Sequence, residues 1–354
     1  MSTDPGGKNT VAGAAFGNTA IKGMPSRRPI DPMPDYNLSL DLVRCTEAAA
    51  LAAARWVGRG DKNAADQAAV DAMRLFFNMV HMDGVVVIGE GEKDQAPMLY
   101  NGESVGTGNP PAVDVAVDPI DGTRLVSRGE ANALSVVALA ERGAMFNSGP
   151  CVYMEKIATG RESASAIDIT ASVETNIRQI ARIKRMLVSE VTMMILDRPR
   201  HEEVVERVRK LGARVYLITD GDVAGAISAA RRGTGVDLLY GIGGTPEGVV
   251  AAAALKCLGG GFMGRLKPRS AEEAERAKGM GFGDLDRVLT MDDLCKGETV
   301  VFVATGITDG DLVRGVRFMG NQARTHSILI EGTSGTVRFI ESVHRLGARP
   351  HRRA

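Results

Sequence analysis

Four times along this chain an apolar, strand-like run stops in a cluster of acids and glycines. The four are "VVVIGEGEKD" (85–94), "VDVAVDPIDGT" (113–123), "LITDGDVAG" (217–225) and "YGIGGTPEGVV" (240–250). In proteins that alternate strands with helices, strand ends and helix starts share one rim, and ligand sites form there. The second run shows the pattern best. Val113, Val115 and Val117 repeat with period two, which reads as a strand with one apolar face. Pro119 cannot continue a central strand, Gly122 permits a turn, and Asp118 and Asp121 are held together at the strand end.

The flanking patterns set the fold class. Residues 1–36 are rich in Gly, Pro, Ser and Asn and read as a flexible tail. Leu42, Cys45, Leu51 and Val57 suggest a helix over 38–57 closed by Gly58 and Gly60, and a second helix spans about 62–80. After about Thr170, the strands "VTMMIL", "RVYLI", "VDLLY" and "VVFVAT" alternate with helices starting near Arg200, Asp222, Thr245 and Ser270. That alternation predicts βαβ units on an at least partly parallel sheet. Strands near 327–331 and 336–340 and a basic tail at 346–354 complete the chain.

Composition narrows the class of function. The 354 residues, 44% hydrophobic, suffice for one large or two medium domains. Forty-three basic against 43 acidic residues leave no electrostatic footprint for nucleic acid or membrane. Cys45, Cys151, Cys257 and Cys295 form no CxxC pair, so a reduced, cytoplasmic setting is expected. No apolar run reaches the roughly 20 residues that span a bilayer.

Taken singly, the acids have ordinary readings. Asp222 suits a helix N-cap, Glu247 after Pro246 suits the helix dipole, Asp66 suits a solvated helix face, and Glu90 with Glu92 suits a polar turn. Together they would repel one another unless cations intervene. Hard oxygen ligands without His or Cys select Mg²⁺ or Mn²⁺ over zinc.

"DPIDGT" matches the Asp-Pro-x-Asp/Glu-Gly-Thr signature of the metal-dependent, lithium-sensitive sugar phosphatase superfamily. With "WVGRGDKNAAD", "GVVVIGEGEKDQAPMLYNGE", "DRPRH", "DGDVA" and "YGIGGTPEGVVAAAA", residues 38–345 resemble the bacterial class II fructose-1,6-bisphosphatases. Asp121 stands where many class II members have Glu, and Arg198 where relatives often have Lys.

The resemblance implies a layered α-β-α-β-α, inositol monophosphatase-like fold, α+β and α/β in class. Its metal- and phosphate-binding half would cover 37–170 and its sugar-binding half 171–345. It implies hydrolysis of the 1-phosphate of fructose 1,6-bisphosphate in gluconeogenesis, in the cytoplasm, by a homo-oligomer, a tetramer. Asp66, Glu90, Asp118, Asp121, Glu247 and the Ile120 carbonyl would hold Mn²⁺ or Mg²⁺. Thr123, with Asp121 and Glu92, would be catalytic, Thr123 holding or activating the attacking water. Asp121, Gly122, Thr123, Tyr153, Arg198, Pro199, Arg200, Asp220, Gly221, Asp222 and Gly244 would bind substrate, with Lys62 and Asp94 nearby. The glycines at 122 and 244 would give phosphate room. Alternatives are a bifunctional fructose-1,6/sedoheptulose-1,7-bisphosphatase or a non-catalytic sugar-phosphate sensor. A haloacid-dehalogenase-type site with Asp220 as nucleophile wants Thr or Val where Ala224 stands. A cysteine phosphatase lacks its Arg six residues after any Cys, and "GGGFMGRL" lacks the P-loop lysine.

Overall fold

A computed structural model describes residues 37–91, 98–147 and 149–347. Helix α1 (Leu38–Ala53) is capped by Asn37, whose side chain accepts the Leu40 N–H, and α2 (Lys62–Phe77) by Asp61, which accepts from Ala64. Strands β1 (Asp83–Ile88), β2 (Ser104–Val105) and β3 (Ala112–Asp121) precede the short helix α3 (Thr123–Arg128). β4 (Leu134–Glu141), β5 (Tyr153–Thr159), α4 (Val173–Lys184), β6 (Thr192–Leu196), α5 (Glu202–Leu211) and β7 (Arg214–Ile218) follow. Then come α6 (Asp222–Ala230), β8 (Leu238–Gly244), α7 (Thr245–Leu258), β9 (Gly261–Leu266) and α8 (Ala271–Gly279). The chain continues through β10 (Leu289–Thr290), α9 (Met291–Leu294), β11 (Val301–Gly306), β12 (Arg317–Met319), β13 (Gln322–Glu331) and β14 (Thr336–Arg345). The tail at 1–36, and the basic end beyond residue 347, lie outside the described residues.

The strands form two mixed sheets, so the fold is mixed α and β. The first runs β12-β13-β11-β4-β3-β1-β2, with β14 also on β13, and only β1 and β3 are parallel within it. The second runs β10-β9-β5-β8-β6-β7, where β6 is parallel to both β7 and β8 and the other pairs are antiparallel. The expected βαβ alternation is therefore present around β6, β7 and β8. The run "VVFVAT" departs from it. Its strand β11 crosses to the first sheet and pairs antiparallel with β4 and β13. Being apolar on both faces, it suits the centre of any covered sheet, so pattern alone could not assign it.

Three hydrophobic clusters hold these elements. One gathers Leu42, Met73 and Phe77 of α1 and α2 with Val113, Val115 and Val117 of β3. A second joins Ala116, Val136 and Phe302 of the first sheet to Met154 and Phe262 of the second through Val223, Ile227 and Val249 to Leu255. The third sets Ile177, Ile180, Val205 and Val208 of α4 and α5 against Ile157, Met193 and Ile195. Because β3 is covered on both sides, its period-two pattern does not mark one wet face: Asp114 is 2% exposed. Its carboxylate accepts the Met145 N–H at 3.0 Å and faces Arg142 at 3.7 Å.

The β3 strand also continues through Pro119 instead of stopping there. Its register against β4 shifts between Asp118 and Asp121. A bulge of this kind frees Pro119 from the ladder bond it cannot make and turns the strand end. Among the described residues no helix is long and apolar enough to cross a membrane.

Candidate active site

A cleft of about 610 Å³ collects the strand ends. Asp66 of α2, Glu90 after β1, and Asp118, Ile120 and Asp121 of β3 line it, with Gly122, Thr123 and Tyr153. Arg198, Arg200, Asp220, Asp222, Gly244 and Glu247 come to the same walls from the second sheet. Lys62, Pro199 and Gly221 are not part of its lining. Lys62 opposes the upward shift of the Asp66 carboxyl by its charge. Pro199 opens the turn that separates Arg198 from Arg200. Gly221, at φ 81°, caps α6. Glu92 and Asp94 lie outside the described residues.

The turn after β3 is ordered by its own atoms. Asp118 Oδ1 accepts the Ile120 N–H at 3.0 Å, and the Thr123 hydroxyl donates to the Ile120 carbonyl at 3.3 Å. Gly122 has φ 97°, a conformation that disfavours other residues. The space its missing Cβ leaves is taken by Leu125, since a Cβ there would sit 2.8 Å from Leu125 Cδ1. At Gly244 the occupant is Glu247, whose Oε2 would meet a Cβ at 1.7 Å, and at Gly243 a Cβ would meet Asp222 Oδ2 at 2.1 Å. Gly243 and Gly244 thus make room for protein carboxylates, and Gly122 for an apolar side chain.

Burial and mutual repulsion push the acids toward the protonated form. Glu90 is raised to about 8 by burial, then by Asp66 and Glu247. Asp118 is raised by burial, then by Asp121, Glu247, Glu90 and Asp66. Asp121 is raised by burial and by Asp222, Asp220 and Glu247, against the Ala224 N–H that it accepts. Glu247 is raised by burial and Asp222, and Lys156 opposes the shift.

Among the described residues that line the cleft, two carboxylate oxygens, Asp121 Oδ2 and Glu247 Oε2, are buried with no hydrogen-bond partner; Glu103 Oε2, outside it, is a third. A buried acceptor left unsatisfied is costly, and a hard cation satisfies it. The donor set is all oxygen, so the residues fit such an ion. Among the described residues no three His, Cys, Asp or Glu side chains converge as a closed set. The acids line the cleft walls and do not meet at one point.

Sequence patterning did not find three further cations. Lys156, inside β5, is 2% exposed. Its ammonium pairs with Asp222 Oδ2 at 2.7 Å and donates to the Gly244 carbonyl at 2.9 Å. Asp222 is therefore an ion-pair partner, and the N-cap position belongs to Gly221. A charge inside the apolar run "YMEKIAT" was the available signal. Arg269, just before the α8 cap Ser270, and Arg276, in the last turn of α8, also line the cleft, where nothing periodic marks them. Behind Arg200, His201 is buried and neutral: Nδ1 donates to the Leu196 carbonyl at 2.7 Å and Nε2 accepts the Ile242 N–H at 2.8 Å. Burial holds its pKa below the ordinary imidazole value.

The family described as "Bacterial fructose-1,6-bisphosphatase, glpX-encoded" matches residues 36–344. The chain is 48% identical over 322 residues to the fructose-1,6-bisphosphatase class 2 of Haemophilus influenzae, covering 87% of this chain and 96% of that protein. It is 47% identical over 322 residues to the fructose-1,6-bisphosphatase 1 class 2 of Escherichia coli K12, covering 87% and 95%. With nearly its whole described length matched and the acid-rimmed cleft inside that match, the chain belongs to the glpX-encoded, class 2 family of bacterial fructose-1,6-bisphosphatases.

Proposed function

We propose that this chain is a phosphoric monoester hydrolase that converts D-fructose 1,6-bisphosphate to fructose 6-phosphate and phosphate. The observation that carries the reading is the buried acid cluster, with orphaned oxygens on Asp121 and Glu247, inside a chain of this family. Asp66, Glu90, Asp118, Asp121, Glu247 and the Ile120 carbonyl would hold the divalent cation, Mg²⁺ or Mn²⁺, which supplies Lewis-acid charge at the scissile phosphate. Thr123, anchored on the Ile120 carbonyl, positions the attacking water, and Asp121 accepts its proton. Asp220 and Asp222 accept from sugar hydroxyls, and Lys156 keeps Asp222 in place. Arg198, Arg200 and Tyr153 face the far end of the substrate. The N-terminus of α7, beside Glu247, favours the anion.

The finer expectations stand as part of this proposal. The layered α-β-α-β-α, inositol monophosphatase-like fold is supported by the three hydrophobic clusters. Residues 37–170 supply most of the acids and 171–345 the sugar-facing groups. A cytoplasmic homotetramer is the proposed working form. The names of the relatives favour the fructose-1,6-bisphosphatase over the bifunctional enzyme and the sensor.

The test is phosphate release from fructose 1,6-bisphosphate by the purified chain with Mg²⁺ or Mn²⁺. Chelation should abolish it and restored metal should recover it. Binding without release would establish the sensor. Comparable kcat/KM on sedoheptulose 1,7-bisphosphate would establish the bifunctional enzyme.

A further inference from the structure

The cleft lining carries both signs of charge. Its carboxylates are Asp66, Glu90, Asp118, Asp121, Asp220, Asp222 and Glu247. Four guanidiniums, Arg198, Arg200, Arg269 and Arg276, line it as well, with Arg198 near enough to Asp220 and Arg200 near enough to Asp222 to feel their charge. Two of them flank a single aromatic ring. The guanidinium carbon of Arg200 lies 5.3 Å and that of Arg269 6.0 Å from the centroid of Tyr153.

Each of these two arginines is tethered in a way that leaves donors over. Arg200 gives Nε and Nη2 to the Ile242 carbonyl, at 3.1 and 2.6 Å. Arg269 gives only Nε to Glu273 Oε2, at 2.9 Å. Among the described residues, Nη1 of Arg200 and both terminal nitrogens of Arg269 have no protein acceptor. Glu273 is buried and fully used: Oε1 accepts the Val152 N–H at 3.0 Å and Oε2 the Arg269 N–H at 3.3 Å. The residue before Tyr153 and the arginine stacked on it thus share one carboxylate. That carboxylate sits in α8, whose cap Ser270 accepts the Glu273 N–H at 3.1 Å.

We propose that Arg269, oriented by Glu273 and stacked on Tyr153, is a specificity-determining residue that joins Arg200 in binding the phosphate distal to the scissile bond. The inference rests on the hydrolase reading above and assigns a residue to the substrate's second phosphate. A ligand with one phosphate among the acids must place its second phosphate where positive charge awaits it. Planar guanidiniums with terminal N–H pairs left over match that group in shape and charge. Arg269 would then separate bisphosphates from sugars phosphorylated only at the scissile position.

The experiment compares wild type with Arg269→Gln and Arg269→Lys, each checked for native circular dichroism. Fructose 6-phosphate carries only the distal phosphate, and fructose 1-phosphate only the scissile one. Calorimetric titration of both into the metal-loaded protein should show Arg269→Gln weakening fructose 6-phosphate about tenfold and fructose 1-phosphate less than twofold. Arg269→Lys should recover part of the loss. On fructose 1,6-bisphosphate the KM of Arg269→Gln should rise with kcat within about twofold. Equal weakening of the two monophosphates, or no weakening of fructose 6-phosphate, overturns the assignment. Wild type that binds fructose 6-phosphate yet releases no phosphate from the bisphosphate overturns the hydrolase reading instead, and the titration still decides Arg269.

Discussion

Two glutamates of this molecule show how differently one side chain can be used. Glu90, at the end of β1, is raised to about 8 because it is buried and faces Asp66 and Glu247. Glu174, in the first turn of α4, is lowered to about 2 because the Arg207 guanidinium grips both its oxygens, at 2.8 and 2.7 Å. Glu174 is satisfied by the fold and adds to it. Glu90 is strained by the fold, and its strain is relieved by something the fold must bind. Carboxylates that cost stability mark the site, whereas those that supply it mark the frame.

The sharpest way to break this contrast is to remove an acid from the cleft. Asp121→Ala should lower kcat/KM by about a thousandfold or more, because a ligand of the reactive end is gone. Its melting temperature in chelator should equal or exceed that of wild type, since one repelling charge has left. A variant that melts earlier in chelator would make Asp121 part of the frame. Thr123→Val should lower kcat about a hundredfold with KM nearly unchanged. Near-normal turnover would remove Thr123 from the water-positioning role.

Lys156→Met tests the cation that the cluster already owns. It leaves Asp222 buried without its partner, so urea unfolding should report a loss of about 3–5 kcal/mol. A loss under 1 kcal/mol would show that water reaches Asp222.

A pH series reads the cluster as a whole. The folded pKa of Glu90 lies above its ordinary value of 4.5. Its contribution to stability is therefore present below the unfolded pKa and lost as pH rises through about 8. Asp66, Asp118, Asp121 and Glu247 shift in the same direction. In chelator the melting temperature should fall between about pH 5 and 8, and saturating divalent cation should flatten that fall. A rise over the same range refutes the strained-acid account.

The smallest effect belongs to Glu174→Gln. The folded pKa there is depressed, so its stability is present above 4.5 and fades as pH falls toward about 2. Arg207 is 41% exposed and Glu174 22%, so solvent screens the pair and the loss near neutral pH should be about 0.5 kcal/mol.

What could be read before folding follows the same division. Glu90, Asp118, Asp121 and Glu247 stood out because each sits at an element boundary, whereas Asp66, inside α2, read as an ordinary helix-face acid until the motif resemblance grouped it with the others. The helices α1, α2, α5, α6, α7 and α8 were legible from their starts and, in the second half, from their alternation with strands. Three things were not. The strand β11 is apolar on both faces, so nothing local says which sheet will accept it. The β3 strand runs on past Pro119 because a register shift absorbs the proline, and a shift belongs to two strands at once. Arg269 reaches the cleft only because Glu273, four residues on, is held by Val152, more than a hundred residues earlier. Long-range partners of this kind leave no local mark.

The crowding at Gly243 and Gly244 bears on how such a protein can change. A single methyl group at either position would claim volume already held by the carboxylate of Asp222 or Glu247. Alanine at either glycine would therefore force one of these carboxylates to move. The arginine lip is looser at Arg269, which is 59% exposed, precedes the α8 cap Ser270 and pairs with Glu273 instead of a cleft acid. A library randomised at both places should therefore return active variants with new substrate preferences from the lip alone.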